Sequence, residues 1–299
     1  MPATQFSCPK CKQNVAISAC LDHCIAGHRC MFLPTLRSVA ESLNRNLDKP
    51  SVTELIAGTR ETYLKKKSNY AVDPMAQLYA LHGTAVHTLN ENNTGDKDNI
   101  LTEERLENHI TSGKFDLFGS IISMDDNTLG DYKITSSYKL MKALGFYKVD
   151  VPTGEVFKTG FRKGQPRTRK EWRTDGVRHM LEWAIQINYY RILLEEAGFT
   201  VNSMVVQALC RDYSLRVASE RNIKRPLYLI KINKISDRWI KIYISIKAKR
   251  LTKAMKKNHL PNRCSVRERW HDKKCQSYCD VADYCPYGRM IKRAANPAA

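Results

Sequence analysis

The sequence predicts an α/β fold, with a mixed central sheet flanked by helices and cysteine-rich metal-binding ends. Three observations carry this. Segments with helical apolar spacing alternate with short strand-like runs, as a layered α/β sandwich requires. One stretch, Gly113 to Lys133, reads as two strands joined by a tight turn. The cysteines gather at the two termini, with only Cys210 between them. The resulting plan is a zinc-binding segment at 1–33, a core at 34–263 and a second cysteine-rich segment at 264–299.

At 299 residues with 42% hydrophobic and 26% charged side chains, the chain can bury a normal core. Its net charge of +19 favours polyanions, nucleic acid above all. No apolar run reaches the length of a membrane span. The N-terminus carries Cys8 and Cys11 where a secretory signal needs an apolar run, so the expectation is a cytoplasmic protein. Ten cysteines at short spacings without a secretory signal point to metal rather than disulfides.

Cys8-Pro-Lys-Cys11 has the spacing of a zinc knuckle, and Cys20 and Cys24 follow at close range. Four thiolates so spaced suit a closed structural zinc site. His23 and His28 are the alternates, and free thiols in a reducing compartment are the plainer reading. Leu36 to Leu47 then has helical spacing, and Pro50 ends it. Ser51 and Glu54 form a capping box that opens a helix running past Tyr63. Pro74 precedes a third helix, about Met75 to Leu89, that contains Gly83 and His87.

Phe115 to Met124 is the first strand of the central hairpin, Asp125-Asp126-Asn127 its turn, and Thr128 to Ile134 its second strand. Asp131 and Lys133 are two apart on one strand and so share a face. Asp116 joins them from the neighbouring strand. Two acids and a lysine so arranged suit a hard divalent cation beside a phosphate. On its own, Asp-x-Lys is far more often a solvated surface ion pair.

Tyr138 to Gly145 looks helical. Gly154 to Gly176 is polar and basic, with Arg162, Lys163, Arg167 and Arg169, and its glycines and Pro166 predict a loop. It is either a solvated insertion or a basic flap that grips a phosphate backbone. Gly176 to Ala197 is amphipathic and ends at Gly198. Thr200 to Asp212 and Tyr228 to Ile235 read as further strands, and Trp239 to Lys257 as a helix with a basic outer face.

Four motifs occur in order: Gly83-Thr-Ala-Val-His87, Gly113-Lys-Phe-Asp116, Gly130-Asp131-Tyr-Lys133 and Gln186-Ile-Asn-Tyr-Tyr190. Together they resemble the PD-(D/E)XK nuclease superfamily, in its RecB-like branch, close to phage-type members related to AddB and the CRISPR-adaptation nucleases. The resemblance covers about Ser51 to Phe199. It implies a restriction-endonuclease-like core and a Mg²⁺- or Mn²⁺-dependent deoxyribonuclease, acting on single strands or DNA ends in phage recombination or replication alongside a protein of that machinery. Residue by residue, it implies that His87, Asp116, Asp131 and the backbone carbonyl of Tyr132 hold the metal. Lys133 completes the catalytic set, and Gln186 and Tyr190 contact DNA or brace Lys133. It further implies a 4Fe–4S cluster on Cys275, Cys279, Cys285 and one distant thiol, for which Cys30 is the candidate. The spacing of three residues between Cys275 and Cys279 departs from the two usual in that branch. A second zinc site on Cys264, Cys275, Cys279 and Cys285, with His271 in reserve, is the alternative. Two other functions remain open: a non-catalytic DNA-binding or adaptor protein on a nuclease-like fold, and a zinc-dependent transcription regulator.

Overall fold

The structure is a computed structural model, which describes residues 3–43, 49–95, 99–122, 126–174 and 180–296. Two short strands, β1 (Gln5–Ser7) and β2 (Asn14–Ala16), precede helices α1 (Ile17–Asp22) and α2 (Leu33–Leu43). Ser51 closes the expected capping box with Glu54 at the start of α3 (Val52–Ile56). The helix does not continue to Tyr63. It stops at Ala57, and α4 (Thr59–Lys67) starts anew from Gly58. Gly58, the N-cap of α4, sits where a Cβ would lie 2.3 Å from the Cys264 sulfur.

The short strand β3 (Ala71–Val72) leads into α5 (Pro74–Glu91), whose N-cap Asp73 accepts from the Met75 amide. Strands β4 (Ile100–Thr102), β5 (Arg105–Glu107), β6 (Ser112–Lys114) and β7 (Leu117–Gly119) follow, then the long β8 (Thr128–Thr135). β7 and β8 are the two arms of the expected hairpin, antiparallel with Leu117 opposite Gly130. Met124 and Asp125 lie outside the described residues, as do 44–48 at the end of the first predicted helix and 175–179 before the later one.

After α6 (Ser137–Ala143), the segment expected as a basic loop is instead a β-hairpin, β9 (Phe146–Val156) against β10 (Pro166–Thr174). Glycines and Pro166 suggested a loop, but only Gly160 and Gly164, both at positive φ, are used for the turn. The flanking Val, Thr and Trp residues pair as ordinary strands. Helix α7 (Leu181–Glu196) crosses over to β11 (Ser203–Cys210). Next come α8 (Arg216–Glu220), the edge strand β12 (Leu227–Lys231) and α9 (Asp237–Lys257). Helix α10 (Lys273–Ser277) and α11 (Pro286–Ala295) close the chain.

The main sheet is ordered β12-β11-β8-β7-β4. β8 and β11 are parallel and the other pairs antiparallel, so the sheet is mixed. Leu129 of β8 and Val206 of β11 are fully buried, and α7 packs behind them with Ile187 and Leu194 equally buried. Burial of these strands on both faces explains their apolar runs. The C-terminal segment docks onto α4 and α9 through ion pairs, Lys274 with Glu61, Lys65 with Asp280 and the buried Lys247 with Glu268.

Two glycines are fixed by contact. A Cβ at Gly113 would lie 2.8 Å from the ring of Tyr190 on α7, and one at Gly119, where φ is +142°, would lie 2.3 Å from the Asn99 carbonyl oxygen. Gly113→Ala is therefore expected to destabilise the fold by about 1–3 kcal/mol through overpacking. Urea denaturation checks this, and an unchanged midpoint would show that the Tyr190 ring yields freely.

Candidate metal centre and basic cleft

Asp116, at the turn into β7, is the hub of the site. Its Oδ2 accepts a 2.6 Å hydrogen bond from the Tyr132 amide of β8. Its Oδ1 lies 3.5 Å from His87 Nδ1, which reaches in from α5. The His87 ring also packs edge-on against Tyr132, with centroids 5.6 Å apart. On β8, Lys133 Nζ lies 2.7 and 2.6 Å from the two oxygens of the buried Asp131. The four residues expected from the sequence thus meet at one place.

Their division of labour differs from the expectation. Among the described residues, the one group of three potential ligands with atoms all within 4.8 Å of one another is His87, Glu103 and Asp116. Asp131, expected as a ligand, is taken up by Lys133 and stands outside that group. Glu103, which no motif marked, stands in it: His87 Nδ1 is 3.2 Å from its Oε1, while its Oε2 is ion-paired with Lys114. The sequence held no signal for Glu103, because it lies in the two-residue link between β4 and β5. Register brings it in. Thr102 pairs with Leu117, and the Glu103 amide donates to the Asp116 carbonyl at 2.9 Å, with Glu103 at φ +53°. The side chains of His87, Glu103 and Asp116 are 25%, 13% and 11% exposed, reachable but largely dry.

This crowding has an electrostatic signature. Burial, and then the neighbouring Asp131 charge, push the Asp116 carboxyl up to about 7 against the pull of Lys133, His87 and the Tyr132 amide. An imidazole nitrogen and two carboxylates in a largely desolvated place form a donor set that fits a hard divalent cation, and nothing in it selects Mg²⁺ over Mn²⁺.

Beside the centre opens a cleft of about 1770 Å³ that Lys133 and Gln186 share as lining. Its lysines and arginines, among them Lys139, Lys142, Arg211 and Lys253, far outnumber its two acids, Glu182 and Glu268. Tyr79, Trp239, Trp270 and Tyr278 line it too, each more than a third exposed. Of the six expected DNA contacts, five do not line the cleft and Gln186 does. Tyr190 is buried against Gly113 and accepts from Gln186 Nε2 at 3.1 Å, which braces the Gln186 side chain on α7. Arg162 and Lys163 sit exposed at the tip of the β9–β10 hairpin, while Arg167 and Arg169 on β10 are paired with Glu155 and Glu171. None of these four lines the cleft.

All ten cysteines are free thiols. Cys8, Cys20, Cys24 and Cys30 line one small cavity near the N-terminus. Cys30 therefore lies with the N-terminal thiols and not with the C-terminal ones, where the expected cluster needed it. The C-terminal set gathers Cys264 instead: Cys264 and Cys285 are the thiols whose charge bears on Cys275. Burial pushes Cys264 and Cys275 up and takes Cys279 to about 12.

No family model matches the chain, and no curated protein matches it. Among solved structures, one described as the crystal structure of SSO0001 aligns with 84% of this chain and 94% of its own, at 15% identity and a TM-score of 0.46. A likeness that loose carries no argument about fold family or function.

Replacing Glu103 with Gln removes one charge of the three-residue group while keeping its shape. Mn²⁺ affinity, followed by calorimetry, is expected to fall at least about tenfold, as for the loss of other groups that support a metal site. Unchanged affinity would remove Glu103 from the centre.

Proposed function

We propose that the chain is a metal-dependent deoxyribonuclease that hydrolyses phosphodiester bonds on a PD-(D/E)XK-type core of the RecB-like branch, acting on single strands or ends. The observation that carries this reading is the convergence of His87, Glu103, Asp116, Asp131 and Lys133 beside a basic cleft. An ion pair on a solvated strand explains Asp131 and Lys133 alone. It does not explain two further carboxylates and an imidazole at the same spot.

His87, Glu103 and Asp116 would hold the cation, with Asp131 adjacent. When bound, a Mg²⁺ or Mn²⁺ ion supplies Lewis-acid stabilisation of a phosphoryl oxygen and lowers the pKa of a water. Lys133, held by Asp131, presents its ammonium group toward the charge that develops on the phosphate. Asp131 positions that ammonium at the cleft wall. Gln186, at the cleft wall, is placed to orient a backbone phosphate, and Tyr190 fixes Gln186. The cleft's lysines and arginines supply sequence-independent attraction for the backbone, and its aromatic rings supply faces on which unpaired bases stack. The thiols at the C-terminus, Cys264, Cys275, Cys279 and Cys285, would carry a cluster or a second zinc that fixes the cleft wall from Cys264 to Tyr278.

With labelled DNA and Mg²⁺ or Mn²⁺, wild-type protein should cleave and chelation should stop it. Asp131→Ala and Lys133→Ala should each lower the rate by about 10²–10³-fold. Cleavage that survives both substitutions removes the assignment, and binding without any metal-dependent cleavage favours the non-catalytic DNA-binding reading. In a separate binding measurement, the double change Lys139→Ala with Lys142→Ala should weaken affinity across sequences and make the salt slope shallower by about one for each phosphate that is no longer neutralised. The same change at Arg162 and Lys163 should have the smaller effect; the reverse order would move the DNA path to the β9–β10 hairpin.

A further inference from the structure

The helix that presents His87 packs against α2 and β8, with Leu78 and Leu81 half-buried against the core, but little of it is fully buried. Of the 18 residues in α5, Pro74 at its N-terminus is the one buried residue. Tyr79 and Leu89 are each more than half exposed, and nothing approaches the Cα of Gly83 within the reach of a methyl group. An element with so little burial takes its direction from where it is anchored.

Two of its supports, its own N-terminal end and α2, belong to the cysteine module. Pro74 lines the same small cavity as Cys8, Cys20, Cys24 and Cys30, and Leu36 of α2 and Phe6 of β1 form its floor. The cavity measures about 10 Å³, the room of a single small atom or ion. β1 pairs in parallel with β3, Gln5 with Ala71 and Phe6 with Val72, so the strand before Cys8 is hydrogen-bonded to the strand before α5. Lys10 and Arg29 line the cavity as well. Lys10 Nζ donates to the His28 carbonyl at 3.4 Å and Arg29 to the Leu21 carbonyl at 2.8 Å, which hold the loops together and set positive charge beside the thiols. Four thiolates around one ion carry a net negative charge that such neighbours offset. Cys11, expected as a ligand, does not line the cavity, although its thiol lies within hydrogen-bonding reach of Cys8.

We propose that Cys8, Cys20, Cys24 and Cys30 bind one zinc ion, and that this ion anchors the helix carrying His87. The four ligands differ from the set that sequence spacing suggests, with Cys30 in place of Cys11. Zinc with four thiolates closes a tetrahedral structural site and deprotonates each thiol on binding. No three of the sulfurs lie within 4.8 Å of one another, so forming Zn–S bonds of about 2.3 Å draws them inward and tightens the module. The consequence for metal binding at His87 rests on the nuclease reading; the zinc site itself does not.

The full-length protein tests both parts. Elemental analysis of wild type against Cys30→Ser and Cys24→Ser should show the loss of one zinc per chain, whereas Cys11→Ser should keep it. Retention of zinc by Cys30→Ser, or its loss from Cys11→Ser, overturns the ligand set. Should a cysteine variant fail to fold, wild-type protein is titrated with a mercurial reagent, and release of one zinc as the thiols react replaces the count; no zinc released overturns the site. Hydrogen exchange before and after that release should show faster exchange across Ala71–Glu91 with Thr128–Thr135 unchanged. Equal protection of α5 in both states overturns the anchoring. None of these readouts needs DNA cleavage, so a failed nuclease assay leaves them standing.

Discussion

Asp116 sits where a carboxylate is hard to keep ionised. It is largely removed from water, it faces the charge of Asp131, and Glu103 lies in the same small group of ligand atoms. One backbone amide, two lysines and one imidazole only partly offset this. Such a concentration of acid is costly to fold around unless something positive joins it. The surrounding structure is arranged to hold these groups in place despite their repulsion. β8 is paired on both sides, its neighbour β11 is buried, and α7 closes over the pair from behind.

The rigidity is uneven, and the unevenness divides the site in two. Asp116, Asp131 and Lys133 stand on the main sheet or at its edge and move only with it. His87 comes from a helix with little full burial, which rests on α2 and β8. A centre that joins a fixed half to a lightly held half responds to whatever fixes the second. That places the cysteine-bounded module, far along the chain from the acids, in the line of support for the imidazole.

Charge is partitioned in the same way. The excess of lysine and arginine is not spread evenly. Part of it is neutralised, as with Arg167 and Arg169 on the β9–β10 hairpin or the buried Arg191 between Glu195 and Asp237. Part of it lines the cleft beside Lys133, with few acids to answer it. This second part concentrates positive potential in the cleft. No helix among the described residues is long and apolar enough to cross a membrane.

Local chemistry sufficed for much of this. The capping box at Ser51, the helix bearing His87, the hairpin that sets Asp131 and Lys133 on one face and the helix ending at Gly198 all follow from spacing within a few residues, where periodicity and caps act. Glu103 did not follow, because it reaches the site through the pairing of Thr102 with Leu117, and register between distant strands leaves no trace at short range. The same holds for Cys30 and Cys264, whose spacing allowed either group of thiols and whose partners were chosen by how the ends pack. Tyr190 looked like a contact for DNA and is buried because Gly113 leaves room for its ring. Residue type and spacing determined which chemistry the chain carries; strand register and packing decided which side chains meet, because those depend on contacts that only the closed fold makes.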